Sequence, residues 1–391
     1  MIEETNNLPV VLCILDGLGI GKANTKNAFN EAYTPNIDKL FYNFPNSEIS
    51  ASGLDVGLPS NQVGNSEVGH MAIGSGRIIN NDLVRIEDTI RENLIIKNKF
   101  VKEFSKKLLK SNGKVHLLGL LSDGGVHSKS KHILELANVF VSKGLKVVLH
   151  IFTDGRDTLP KISHKIIEKF IKRLPEQVEI GTVIGRFYSM DRDNRWERIH
   201  LSWKAIVMSE SKYKGKNALD AVLKAYERNE TDEFIYPTIL EDKNGDIYNG
   251  VFDGDGIVSA NFRADRMRQI LSSIIDNNFN EFYRSRVPKL SANLGMIQYS
   301  EKLKKLMQSI FPVQVPKNTL SEIISNNRLK QLKIAETEKY PHITFFLNGG
   351  VEKKYFGEDR ILIPSPKVLT YDIAPKMSAL EIKNTTLNAI N

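Results

Sequence analysis

The chain has 391 residues, 41% of them hydrophobic and 26% charged, with a formal net charge of +8. That length exceeds one ordinary domain, and the balance is that of a folded chain with material for two cores. It excludes a disordered polyelectrolyte, and no apolar run approaches the roughly 20 residues that span a bilayer. The start, Met1-Ile2-Glu3-Glu4-Thr5, lacks a basic, apolar leader, and the expected location is cytoplasmic. The lone Cys13 lies in an apolar run and is expected to be a small core residue.

In chain order, residues 10–15 form a first apolar run ending in Asp16-Gly17. Gly64-Asn65-Ser66-Glu67-Val68-Gly69-His70 then places a serine in a Gly-flanked turn. Further apolar runs follow at 115–121, 147–152, 180–184 and 343–347, which reads as strands buried on both faces. Helical spacing appears at 131–143, 162–174, 196–208 and 218–226, with Gly144 a C-terminal stop for the first. Strand–helix alternation predicts an α/β fold with mainly parallel sheets flanked by helices.

Ligands of such sheets bind beyond the carboxyl ends of the strands. There the sequence puts Ser122 to His127, Asp154-Gly155-Arg156-Asp157, and Arg186 to Asp193. Arg156, Arg186, Arg192, Arg263 and Arg266 are the planar forks that grip carboxylate or phosphate. Arg263 and Arg266 would share a face if their segment begins a helix. Any one arginine is more simply a salt-bridge partner of Asp157, Asp191, Asp193 or Asp265; several at strand ends favour an anion pocket. His127 and Asp157 follow neighbouring strands and could move a hydroxyl proton, or serve only to satisfy a loop. Lys339 could face a developing negative charge, though its hexapeptide, Ala335 to Tyr340, reads alone as a solvated charge cluster. Asp16 and Ser66 suit a divalent metal that activates the serine, yet two ligands are too few.

Taken together, Leu15-Asp16-Gly17, Gly64 to His70, Leu121 to Ser128, Asp154 to Asp157, Gly185 to Arg198, Asn261 to Arg266, Ala335 to Tyr340 and Pro364-Ser365-Pro366-Lys367-Val368 closely resemble the cofactor-independent phosphoglycerate mutases, alkaline-phosphatase-like metalloenzymes. The resemblance implies a discontinuous phosphatase-like domain (1–79 and 313–391) with an inserted transferase domain (80–312). It also implies interconversion of 3- and 2-phosphoglycerate through a phosphoserine at Ser66, in glycolysis and gluconeogenesis. Two divalent ions, manganese or similar, would assist, without 2,3-bisphosphoglycerate.

By position, Asp16 and Ser66 match metal ligands. His127, Arg156, Asp157, Arg186, Arg192, Arg263, Arg266 and Lys339 match substrate-binding positions, with Ser66, Asp157 and Lys339 the catalytic set. The family's remaining metal motifs, an Asp-x-x-x-His, an Asp-His pair and a later His, lie beyond Asn391. A shortened chain with little or no turnover is therefore expected. Leu18 stands where the family often has Trp. The expected partner is small-molecule phosphoglycerate, with no nucleic acid or membrane, and the expected state is a monomer. The competing readings are a non-catalytic phosphoglycerate-binding module, a phosphopentomutase or phosphatase of the same superfamily, and, from charge alone, a nucleic-acid binder. The last lacks any basic stripe or recognised module.

Overall fold

The computed structural model describes residues 9–19, 21, 27–368 and 370–390. It divides into two compact units, one of Met1–Val84 with Gln314–Asn391 and one of Arg85–Val313.

The second unit is built on an eight-stranded sheet. Its strands are β1 (Val115–Leu121), β2 (Val147–Thr153), β3 (Val178–Gly185), β4 (Tyr213–Gly215), β5 (Thr238–Leu240), β6 (Gly256–Ser259), β7 (Ala292–Ile297) and β8 (Gln308–Phe311). The spatial order is β4-β5-β3-β2-β1-β6-β7-β8. All neighbours are parallel except β3 and β5. Every residue of β1 and β2 is buried, as apolar runs covered on both faces must be. Helices such as Lys99–Ser111, Ser130–Ser142 and Ser163–Ile171 lay their apolar sides into the same core. Strand order runs one way from β1 through β2 and β3 and the other way through β6, β7 and β8. The reversal lies between β1 and β6, and a crevice opens at such a point.

In the first unit, β9 (Gln331–Glu336) and β10 (Glu358–Ile363) form a parallel pair. The helix Ser66–Ser75 packs against the short wide helical turn His342–Phe346. At Gly74 a Cβ would stand 1.8 Å from the Leu347 carbonyl oxygen, so only glycine permits this approach. Among the described residues, no helix is long and apolar enough to cross a membrane.

Several expectations are corrected here. Residues 10–15 are not a strand: among the described residues nothing pairs with them, and Val10 is 98% exposed. An apolar run becomes a strand only where neighbours take up its backbone hydrogen bonds. Cys13 is accordingly exposed and not a core residue. Residues 343–347 coil, with the Leu347 N–H donating to the His342 carbonyl at 2.9 Å; so short a mainly apolar run cannot distinguish strand from buried helix. Residues 261–266 are not helical, because their backbone is tied to the β1 side, and a helix begins only at Arg268–Ile275. Ser66 opens a helix instead of sitting in a turn.

Candidate active site

In the first unit, Asn65 caps the Ser66–Ser75 helix by accepting from the Val68 N–H at 3.1 Å. Ser66 thus sits in the first turn, where unpaired N–H groups and the helix dipole favour negative charge. Its Oγ donates to Asp16 Oδ1 at 2.8 Å and accepts from Lys339 Nζ at 3.1 Å. Lys339 also donates to Asp16 Oδ2. The Lys339 ammonium comes from the segment joining β9 to the 342–346 turn, which the contact at Gly74 presses onto the serine's helix. Burial pushes the Asp16 carboxyl up, but the bonds from Lys339 and Ser66 outweigh it and hold it below its ordinary range. His70, one turn on, donates Nδ1–H to the Ser66 carbonyl at 2.8 Å and meets the His342 ring edge-on. Lys339 is therefore a partner of Asp16 and Ser66, which a solvated cluster would not be.

Asp16 and Ser66 offer hard oxygen donors 2.8 Å apart, the spacing and chemistry of one edge of a divalent ion's shell. They fit a share of such a shell. Among the described residues no group of three or more His, Cys, Asp or Glu converges to complete one.

In the second unit, the loops after β1, β2, β3 and β6 meet beyond the strand ends. The Ala260 N–H donates to the Leu118 carbonyl and the Phe262 N–H to the His127 carbonyl, so the β6 loop is fastened to the β1 loop. At the centre lies Asp154, 1% exposed, accepting from Ser122 Oγ at 2.5 Å, Arg186 Nη1 at 2.6 Å and the Asp157 N–H at 3.0 Å. Burial raises its carboxyl, and these donors more than reverse that. Arg186, itself 2% exposed, gives the same Nη1 to Asp157 Oδ2 at 2.5 Å. Gly155 makes the turn possible: its φ is +71°, and a Cβ would stand 2.6 Å from the Glu233 nitrogen.

His127 lies between two carboxylates, with Nε2 3.9 Å from Asp157 and Nδ1 4.0 Å from Asp265. It is buried, and its Nδ1 has no hydrogen-bond partner. Burial, then the charges of Arg186 and Arg263, push the imidazole down to about 4, so it is neutral near pH 7. Arg192 Nη1 and Arg263 Nε both donate to Asp265, at 2.9 and 3.0 Å. Arg266 donates to the Met190 carbonyl at 3.1 Å. Its guanidinium is pushed below its ordinary value by burial and then by Arg186, Arg156 and Arg192, which marks four cations crowded together. Arg156 is half exposed, with Glu233 its nearest carboxylate at 3.9 Å.

The structure thus gathers Asp16, Ser66 and Lys339 in one unit, and His127, Asp157, Arg186, Arg192, Arg263 and Arg266 in the other. Ser122, Asp154 and Asp265 were not singled out as site residues by sequence reasoning. For Asp154 a signal existed: an Asp opening Asp-Gly-x-Asp can accept the N–H groups two and three residues on. In the sequence Asp265 reads only as a salt-bridge partner.

A family signature described as "BPG-independent PGAM N-terminus" matches residues 86–301. A 2,3-bisphosphoglycerate-independent phosphoglycerate mutase of Paracoccus denitrificans is 46% identical over 386 residues, 99% of this chain and 75% of the relative. The chain belongs to the 2,3-bisphosphoglycerate-independent phosphoglycerate mutase family. A family member from Gluconobacter oxydans is 44% identical over 390 residues, covering all of this chain and 75% of its own length. Among solved structures, Leishmania mexicana phosphoglycerate mutase, crystallised at low cobalt concentration, superposes with a TM-score of 0.63 at 29% identity. That match covers 96% of this chain and 71% of the other. Membership of the mutase family stands against the phosphopentomutase, simple phosphatase and nucleic-acid readings.

Proposed function

We propose that this chain is an isomerase that interconverts 3-phosphoglycerate and 2-phosphoglycerate through a phosphoserine at Ser66, independently of 2,3-bisphosphoglycerate. The observation that carries the reading is the Ser66 oxygen held between a carboxylate that accepts its proton and an ammonium that donates to it. Ser66 Oγ attacks phosphorus, the bond from phosphorus to the C3 oxygen breaks, and that oxygen takes a proton. In the return step the C2 oxygen attacks phosphorus, its proton leaves, and the bond to Ser66 breaks. Asp16 Oδ1 is placed to hold the serine proton, and Lys339 to offset charge on the serine and phosphoryl oxygens. The helix start at Ser66 favours the phosphoserine's charge.

The second unit supplies recognition. Arg156, Arg186, Arg192, Arg263 and Arg266 hold the carboxylate and phosphate of the glycerate, and neutral His127 offers a nitrogen to it. Asp157 moves the proton at the glycerate hydroxyl. A divalent ion held in part by Asp16 and Ser66, manganese being the expectation, would lower the serine's hold on its proton and neutralise phosphoryl oxygens. Two such ions, a cytoplasmic location and a monomeric state belong to the same proposal, as does equating the two units with phosphatase-like and transferase domains.

The test is conversion of 3-phosphoglycerate by the 391-residue chain with manganese and no 2,3-bisphosphoglycerate, native against Ser66→Ala. Turnover that the substitution abolishes supports the reading. Turnover that survives it removes Ser66 as nucleophile; binding of 3-phosphoglycerate without turnover matches the non-catalytic module, and a native chain with neither turnover nor binding overturns the reading.

A further inference from the structure

Asp265 belongs to none of the roles given above, yet it is the carboxylate on which the half-exposed arginines depend. Arg192 and Arg263 are 45% and 48% exposed and arise from different loops, one after β3 and one after β6. Left alone, two long cationic side chains beside Arg186, Arg156 and Arg266 would swing apart into water, through mutual repulsion and rotamer freedom. Asp265 prevents this with both of its oxygens, Oδ2 accepting from Arg192 Nη1 and Oδ1 from Arg263 Nε. The backbone on either side of it is tied down, the Met267 N–H donating to the Ala264 carbonyl and the Phe262 N–H to the His127 carbonyl.

The donor count decides what this clamp is for. A guanidinium has five N–H groups. Each arginine gives Asp265 one nitrogen and keeps its other two for an incoming anion. Glu230, by contrast, occupies a whole fork of Arg228 through Nε and Nη2. The nearby His127 Nδ1, 4.0 Å from Asp265 Oδ1, is buried and also without a hydrogen-bond partner.

We infer that Asp265 is a positioning residue that holds Arg192 and Arg263 in their anion-binding arrangement before the glycerate arrives. The inference rests on the phosphoglycerate reading of the arginine cluster. It concerns affinity and not bond breaking, because Asp265 lends geometry to groups that bind ground state and transition state alike.

The experiment is calorimetric titration of the full chain with 3-phosphoglycerate at fixed ionic strength, for the native protein, Asp265→Asn, Asp265→Glu and Asp193→Asn. Asp193 is an exposed control whose nearest cation is Arg195 at 3.9 Å, and its substitution removes the same charge. The expected result is about tenfold weaker binding for Asp265→Asn, partial recovery in Asp265→Glu, and no weakening in Asp193→Asn. Melting temperatures should stay within about 2 °C of native. Asp265→Asn binding as tightly as native, or tighter because a negative charge has gone, overturns the inference and leaves the arginine cluster's assignment standing. Weakening that comes with a melting temperature lowered by more than about 5 °C also overturns it, as general loss of structure. A native chain that does not bind 3-phosphoglycerate overturns the phosphoglycerate reading itself.

Discussion

The serine group of the first unit and the arginine group of the second use the same kinds of side chain, yet differ in burial. Lys339 and Asp16 remain 40% and 18% exposed, and their bonds to Ser66 are few. Arg186 and Asp154 are 2% and 1% exposed and are locked into a chain running from Ser122 to Asp157. The difference is the one that the proposed roles, nucleophile and recognition frame, would require. A nucleophile has to meet an incoming group, so its partners must be weak enough to yield. A recognition frame has to keep its shape while empty, and buried charge-assisted bonds provide that.

The largest expected effect tests the first half of that contrast. Ser66→Ala should lower turnover by roughly 10⁴-fold or more while leaving 3-phosphoglycerate affinity within about twofold, measured by steady-state kinetics and calorimetry. A parallel loss of affinity would show that the serine is part of the recognition frame. Arg186→Ala tests the other half. It leaves Asp154 buried without its counter-charge and should cost about 3–5 kcal/mol in urea unfolding. A loss below about 1 kcal/mol would mean that the pair is as expendable as a surface bridge.

Lys339→Met is predicted to separate the two measurements. Turnover should fall by about 10²-fold or more, with stability changed by less than about 1 kcal/mol, because the Lys339 side chain is 40% exposed. The last test is the pH dependence of stability in the second unit. His127 and His132 are each held down to about 4, chiefly by burial, against an ordinary value of 6.5. Between those limits the unfolded chain binds protons that the folded chain refuses. Stability is thus unaffected above pH 6.5 and falls as pH drops from 6.5 towards 4, by at most about 1.4 kcal/mol per pH unit for each histidine. Urea midpoints of the second unit at pH 7, 6 and 5 read this directly; a flat profile would show that these imidazoles are not held neutral by the fold.

The second unit was the more legible of the two in the sequence. Its runs at 115–121, 147–152 and 180–184 are five to seven residues long and mostly apolar, and each lies within an observed strand. The short strand Gly256–Ser259 escaped notice because four residues carry no periodicity. Yet that strand brings Arg263 and Arg266 to the site. In the first unit, residues 10–15 and 343–347 carry the same apolar signal and became exposed coil and a helical turn. Composition states that a segment can be buried, not which neighbours will pair with it.

The sequence by itself determined the residue chemistry: a serine among glycines, an aspartate fifty residues earlier, five arginines, and the motifs that carry the family. Local chemistry is written in local spacing, so these survive without coordinates. Only the tertiary structure decided that Asp16, Ser66 and Lys339 share hydrogen bonds across up to 323 positions of chain. It alone decided that Asp154 sits beneath Asp157 and Arg186, and that Asp265 clamps two arginines from separate loops. Those facts depend on strand order and on which backbones can approach, as at Gly74 and Gly155. Long-range packing sets both, and no window of sequence contains it.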